Sequence, residues 1–262
     1  MALVFECVGV VGATGPIGRA IVRELVHRQI PVRAISRNMS RLAAAFPYDP
    51  IAKRSADARD IVALSSALSG CDLVIDCIGF AASAMDQHVV AARTLAANLR
   101  ATGARCLLVS STWSYMPIGE LPLATTHPRT GGPPMARARR EAEDVLIGTG
   151  AAILHLPDFY GPNVHTSTLQ MALAKAVAGG RLDWIGSSDT KRDYIYVPDA
   201  SALATGLMSR NEAYGGHWIA AGSGPISASE VAEIVSRELA RDCLLYTSDA
   251  ADDYFWVWVA GG

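Results

Sequence analysis

The sequence predicts an α/β fold, a doubly wound parallel sheet with a small, truncated C-terminal substrate lobe. Three observations predict it. An apolar opening run breaks into glycines three residues apart, at Gly12, Gly15 and Gly18. Apolar, strand-like runs then alternate with helix-like periods about six times. The chain has 262 residues, half of them hydrophobic, enough for one large core and a further lobe.

The first strand ends at Val11, and the next helix carries Ile17, Ile21 and Leu25 on one face. Strand, glycine turn and helix is the context in which this glycine spacing binds a dinucleotide. Gly12 allows the tight turn, Gly15 lets the backbone approach a pyrophosphate, and Gly18 lets the helix pack on the strand. Thr14, Pro16 and Ile17 complete the candidate loop, whose free N–H groups face the phosphates.

The strand 31–37 ends in Ser36 and Arg37. An acidic residue here would accept from the ribose 2′-hydroxyl of NAD, whereas an arginine pairs with the 2′-phosphate of NADP. No acidic residue is present and Arg33 is nearby, so NADP is the favoured cofactor and NAD the alternative. A solvated loop arginine is the competing reading of Arg37. Asp57 and Ala58 follow a short strand, and Asp57 either accepts from the adenine amino group or caps the next helix. The apolar strand 72–79 ends at Ile78 and Gly79, which would border the cofactor together with Phe80.

A helix is expected over 85–102, then a strand over 106–109 opening into Ser110, Ser111, Thr112 and Tyr115. Ligands bind at such C-terminal strand ends. Residues 117–134 read as a flexible rim loop. Helix 137–147, with Arg137, Arg139, Arg140, Glu141, Glu143 and Asp144, reads as a solvated face with local ion pairs. A strand over 152–156 ends at Pro157. Beyond it the pattern gives a helix over 169–177, a strand over 182–185, a helix over 200–208 and a strand over 218–221. Ser227 and Glu230 offer a capping box for a last helix to about Arg241.

These pieces together resemble the NAD(P)-dependent epimerase/dehydratase family, the extended and atypical short-chain dehydrogenases/reductases. The residues that carry the resemblance are the three glycines, Ser110-Ser111, Phe159-Tyr160-Gly161-Pro162 and the run Arg192-Asp193-Tyr194-Ile195-Tyr196-Val197-Pro198-Asp199. The resemblance implies a Rossmann-type domain over 1–156 and 197–220, and a partial substrate lobe over 157–196 and 221–241. By position, Pro157 would border the cofactor, while Asn163 and Arg192 would contact substrate. Arg192 would take a diphosphate, with an ion pair to Asp193 or Asp199 as the plain alternative. Family chemistry uses Tyr-x-x-x-Lys with a hydroxyl residue. Here Met135 stands in the tyrosine position and Arg139 in the lysine position. Methionine cannot exchange a proton, whereas arginine keeps the charge. Ser111, then Thr112, are the candidate substrate-orienting hydroxyls, and Tyr115 is a candidate replacement acid.

Net charge is −2, which gives no general attraction to nucleic acid. No apolar run reaches the length of a membrane span, and the scattered cysteines fit a cytoplasmic protein. No metal-ligand spacing occurs. After Arg241 the pattern collapses, and residues 243–252 resemble the translation of a transposase sequencing adapter. Residues 242–262 are therefore expected to be non-native, the alternative being a native amphipathic or dimerising segment. Two functions follow from these readings. One is an epimerase, dehydratase or reductase acting on a small molecule such as a nucleotide sugar, with a homodimer admitted. The other is an NADP(H)-binding sensor impaired in catalysis.

Overall fold

A computed structural model describes residues 3–248, and the part of the expected foreign tail from 249 onward lies outside the described residues. The chain forms two compact units. Among the described residues one comprises 3–80, 84–156 and 198–220, and the other 81–83, 157–197 and 221–248.

The first unit holds a seven-stranded parallel sheet. In chain order its strands and helices are β1 (Val8–Val11), α1 (Pro16–His27), β2 (Val32–Ser36), α2 (Met39–Ala45), β3 (Ala52–Ser55), α3 (Ile61–Leu68), β4 (Leu73–Asp76), α4 (Gln87–Thr102), β5 (Arg105–Ser111), α5 (Pro134–Ile147) and β6 (Ala152–Leu156). The second unit then supplies β7 (Asp158–Tyr160), α6 (Thr168–Gly179), β8 (Arg181–Ile185) and β9 (Tyr194–Tyr196). The chain returns to the sheet with α7 (Val197–Met208) and β10 (His217–Ile219), and ends in the second unit with α8 (Ala228–Leu239) and β11 (Leu244–Ser248).

The sheet order is β10-β6-β5-β4-β1-β2-β3. Neighbours on the two sides of β1 run in opposite directions through the sequence. The C-terminal ends of β1 and β4 therefore flank the switch point at which such sheets leave a crevice. β1, β4 and β6 are buried along their whole length, which explains their near-continuous apolar runs, broken only by Asp76 and His155. β3 is an edge strand and carries half-buried Lys53 and exposed Arg54, charges that discourage edge-to-edge pairing. Helix α1 starts with Pro16 in its first turn and buries Ile17, Ile21, Val22 and Leu25. Helix α2 has no counterpart in the sequence reading; its seven residues present only Leu42 and Ala45 inward, too few to show a period.

The second unit packs α6, α8, β8 and β9 around Leu169, Ala172, Trp184, Tyr194 and Val231. The expected capping box is formed in full, with Ser227 accepting from Glu230 N and Glu230 accepting from Ser227 N. The tail reading expects no element after Arg241, yet β11 pairs in parallel with β8, Tyr246 opposite Asp183. In it Leu245 is half-buried, while Leu244, Tyr246 and Thr247 are exposed.

Candidate functional site

At the end of β1 the chain turns through Gly12 with φ 80°, and a Cβ there would lie 2.8 Å from the backbone carbonyl of Cys77. At Gly18 a Cβ would run into the carbonyl oxygen of Gly12. Only glycine fits either place, so the first turn of α1 is pressed against the β1 turn with its N–H groups outward. Thr14 Oγ1 lies 3.1 Å from Ser36 Oγ and ties this turn to the end of β2. A small cavity opens beside it, lined by Gly12, Ser36, Arg37, Asp57, Ala58 and Ile78, with Phe80 alongside. These residues come from the ends of β1, β2 and β4 and the segment after β3, at the switch point. Gly15, Pro16 and Ile17 open α1, while Gly79 borders open space.

The structure departs from the sequence-based expectation at Asp57 and Arg33. The cap of α3 is Asp60, whose carboxylate accepts from Val62 N and Ala63 N, and not Asp57. Asp57 instead accepts from Arg59, and that side-chain hydrogen bond holds its carboxyl at about 2. Arg33 does not approach the ribose end, because Nη1 donates to the Ala67 and Ser69 carbonyls at the C-terminus of α3. Arg37 is the arginine that lines the cavity.

The hydroxyl cluster divides by strand alternation. Ser111 is half-buried and its Oγ accepts from Trp113 N at 3.3 Å, with Thr112 half-buried beside it. Ser110 points to the opposite face and donates to Glu143 on α5. Tyr115 is 1 % exposed, its ring packs edge-on against His155, and its buried hydroxyl has no hydrogen-bond partner among the described residues. Burial raises its pKa. That placement removes Tyr115 as a replacement acid, since a sealed phenol reaches no substrate. Met135 is buried in the first turn of α5. Arg139 is half-buried, and the charges of Glu143 and Asp76 act on it. Asp76, at the end of β4, is pushed up to about 6 by burial, against the Ile78 N–H and the Arg139 charge.

The solvated helix face holds for exposed Arg137, Glu141 and Asp144, with Glu141 paired to Arg93, but not for two of its residues. Arg140 and Glu143 are buried, because α5 covers the polar ends of β5 and β6 instead of solvent. Arg140 donates to the carbonyls of Ser114, Met116 and Gly131, and Arg137 donates to Gly132 O. Both ends of the rim loop are thus fastened to α5. From that loop Arg129 pairs with Glu143.

A chain of hydrogen bonds continues inward. Arg129 Nη1 lies 3.3 Å from His217 Nε2, His217 Nδ1 lies 2.9 Å from His155 Nε2, and His155 Nδ1 lies 3.3 Å from Ser111 O. Arginine can only donate, so His217 accepts at Nε2 and carries its proton on Nδ1. His155 then accepts at Nε2 and donates from Nδ1. Both imidazoles are neutral in this arrangement, in accord with burial that pushes His155 down to about 3 and lowers His217. Glu143, His155 and His217 have ligand atoms within 4.8 Å of one another, a grouping that motif spacing did not reveal. The guanidinium of Arg129 already supplies the positive charge there. The sequence did contain one signal: His155 is the only polar residue in an otherwise apolar buried strand.

The second unit has its own cavity of about 530 Å³, lined among others by Lys175, Arg181, Asp183, Trp184, Arg192 and Tyr246. Arg192 makes no ion pair with Asp193 or Asp199 among the described residues. Its Nη2 donates to Ile185 O at 3.1 Å, and its guanidinium lies 5.8 Å over the Trp184 ring. Asp193 accepts from Gly222 N instead. Pro157 and Asn163 also belong to this unit, Asn163 with φ 63°.

Residues 12–153, more than half of the chain, match the model of a family described as NAD(P)H-binding. The chain belongs to this NAD(P)H-binding family. The matched region starts at the turn after β1, reaches the start of β6 and contains the whole glycine cradle, so the ligand class of this domain is a nicotinamide dinucleotide. No curated protein sequence matches the chain. Solved structures share the fold. One is a dTDP-glucose 4,6-dehydratase from Bacillus anthracis in complex with NAD, with a TM-score of 0.81 at 14% identity over 93% of this chain and 85% of that one. Another is DesIV, a dTDP-glucose 4,6-dehydratase from Streptomyces venezuelae, in a double mutant with NAD and DAU bound, with a TM-score of 0.80 at 20% identity over 94% and 86%. A third is the Bordetella bronchiseptica enzyme WbmG with NAD, with a TM-score of 0.81 at 16% identity over 96% and 83%. The likeness to the epimerase and dehydratase group is one of fold. Among the described residues no helix of this NAD(P)H-binding protein is long and apolar enough to cross a membrane.

Proposed function

We propose that the chain is an NADP-dependent epimerase, dehydratase or reductase acting on a nucleotide-sugar-like substrate. The observation that carries the reading is the cavity at the switch point, where Ser36 and Arg37 stand beside the glycine turn with no acidic residue at the end of β2. The cradle fits a dinucleotide: Gly12 and Gly18 bring backbone so close that any Cβ would fill the approach, and the α1 N-terminus presents free N–H groups. Gly12, Gly15 and the first turn of α1 would hold the pyrophosphate, and Arg37 the 2′-phosphate. Asp57 and Ala58 would border the adenine, and Arg139 the ribose of the nicotinamide. When bound, the cofactor supplies reversible hydride transfer.

The protein's own contribution is orientation. Ser111, with Thr112 next to it, would position a substrate oxygen at the end of β5. In the second unit, Arg192 and Lys175 face a cavity of the size and charge for a phosphate-bearing ligand. Met135 and the sealed Tyr115 leave no tyrosine to move the proton. That is the specific support for the second reading, a sensor that binds NADP(H) without turnover.

Nicotinamide fluorescence on the purified chain tests the first step. NADPH is expected to bind more tightly than NADH, and Arg37→Ala to weaken NADPH by roughly tenfold while leaving NADH unchanged. Equal affinity for both cofactors removes the arginine argument. Product formation from a panel of nucleotide sugars, lost on Ser111→Ala, separates the enzyme from the sensor.

A further inference from the structure

At the opposite end of β1 from the cofactor cradle, the thiols of Cys7 and Cys71 face each other with Sγ···Sγ 3.4 Å. They are 64 positions apart in sequence and meet because β1 and β4 are parallel neighbours, with Val8 opposite Leu73. Hydrogen bonds tie the two strands together beside the thiols. Cys7 N donates to Asp72 Oδ1 at 3.0 Å, Asp72 N donates to Cys7 O, and Glu6 N donates to Asp72 Oδ2. The residues next to each thiol are thereby fixed on both strands. Cys7 is half-buried, while Cys71 is buried against Leu68 and Gly9 in the core cluster.

We propose that Cys7 and Cys71 form a two-electron oxidation site that takes a hydroperoxide and closes to a disulfide. A disulfide needs its sulfurs about 2 Å apart, so little more than an ångström of closure separates the present geometry from the bond. The access is ordered. The half-buried Cys7 sulfur attacks the peroxide oxygen, giving a sulfenic acid and releasing one alcohol, or water from hydrogen peroxide. The Cys71 sulfur then attacks Cys7 Sγ, the S–O bond breaks, and water leaves with the second thiol proton. Two thiols lose two electrons to one peroxide. Burial, which also pushes the Cys71 thiol up to about 12, keeps that sulfur from meeting the peroxide first and leaves it the resolving role. The remaining cysteines offer no such partner: Cys77, Cys106 and Cys243 have no sulfur within hydrogen-bonding distance among the described contacts.

The test is peptide mapping without reduction on the full chain, after exposure to hydrogen peroxide and trapping of free thiols by alkylation. The expected product is a Cys7–Cys71 linked pair of peptides, lighter by two hydrogens, reversed by dithiothreitol. Alkylation should find two of the five thiols lost together and the other three free. Cys7→Ser should abolish the link and leave Cys71 alkylatable only after unfolding. Cys71→Ser should trap Cys7 as its sulfenic or sulfinic acid. If that buried substitution unfolds the chain, Cys7→Ser and the wild-type map still decide. Independent loss of the two thiols, or Cys7 oxidised past the sulfenic stage in the wild type with Cys71 free, overturns the proposal.

Discussion

The two poles of the first unit solve the same problem, holding charge at the ends of a sheet, in opposite ways. At the β1–α1 pole the close approach is made by backbone, with side chains only around its rim. Gly12 and Gly18 let backbone approach backbone, and a dinucleotide-sized approach is left open. Under α5 the space is filled instead by Ser110, Glu143, His155, His217 and Arg129, all tied to one another. The first pole depends on what is missing, the second on what is matched. A site made by absence is local in sequence; one made by matching draws on segments far apart.

This contrast can be broken most forcefully at Arg129. Arg129→Ala leaves Glu143, which is fully buried, without its counter-charge and should cost about 3–5 kcal/mol in urea unfolding. Adding Glu143→Gln should restore part of that loss, because the buried charge is gone. Strict additivity of the two would mean that the network is not a unit.

Acid should expose the same pole next. His155 sits at about 3 in the fold against 6.5 in the open chain, so between those values the unfolded state binds a proton that the native state refuses. Stability must therefore fall as pH drops through that window. Glu143 acts with the opposite sign, since a raised carboxyl pKa favours the fold on acidification. Urea titrations at stepped pH should show a shallower acid loss in His155→Gln than in the parent.

At the other pole the expected effects are smaller. Gly18→Ala drives a Cβ into the Gly12 carbonyl and should cost roughly 1–3 kcal/mol, with cofactor fluorescence lost beyond what the stability change explains. Asp60→Ala removes the α3 cap and should cost about 1 kcal/mol, with Asp57→Ala costing less, because Asp57 carries no cap. Equal losses at 57 and 60 would reverse that assignment.

The same contrast explains what could be read from the sequence. The alternation of strands and helices, the glycine turn and the Ser227 capping box were legible because each is written within a few residues. Arg37 beside Ser36 was legible for the same reason. The content of α5 was not. Arg140 and Glu143 look like surface residues by composition, and only the fold shows that they cover the ends of β5 and β6. Tyr115 follows a hydroxyl cluster, yet the short turn after β5 swings it beneath His155. β11 lies in a stretch whose composition resembles an adapter, and its pairing with β8 says nothing of its origin. Amplifying the source locus past the Arg241 codon decides that question: genomic DNA encoding the same tail would make the strand native.

The two imidazoles under α5 carry one more consequence. Their protons all point the same way, from the rim arginine toward the Ser111 carbonyl. Reversing them would turn His217 Nε2–H against the Arg129 guanidinium and set a bare His155 nitrogen against that carbonyl oxygen, with only the Ser114 hydroxyl at 3.2 Å able to donate to that nitrogen. The chain is therefore polarised in a single sense, a fixed dipole inside the protein. An Arg129 that let go would leave an unmet acceptor on His217 that no tautomer shift could supply.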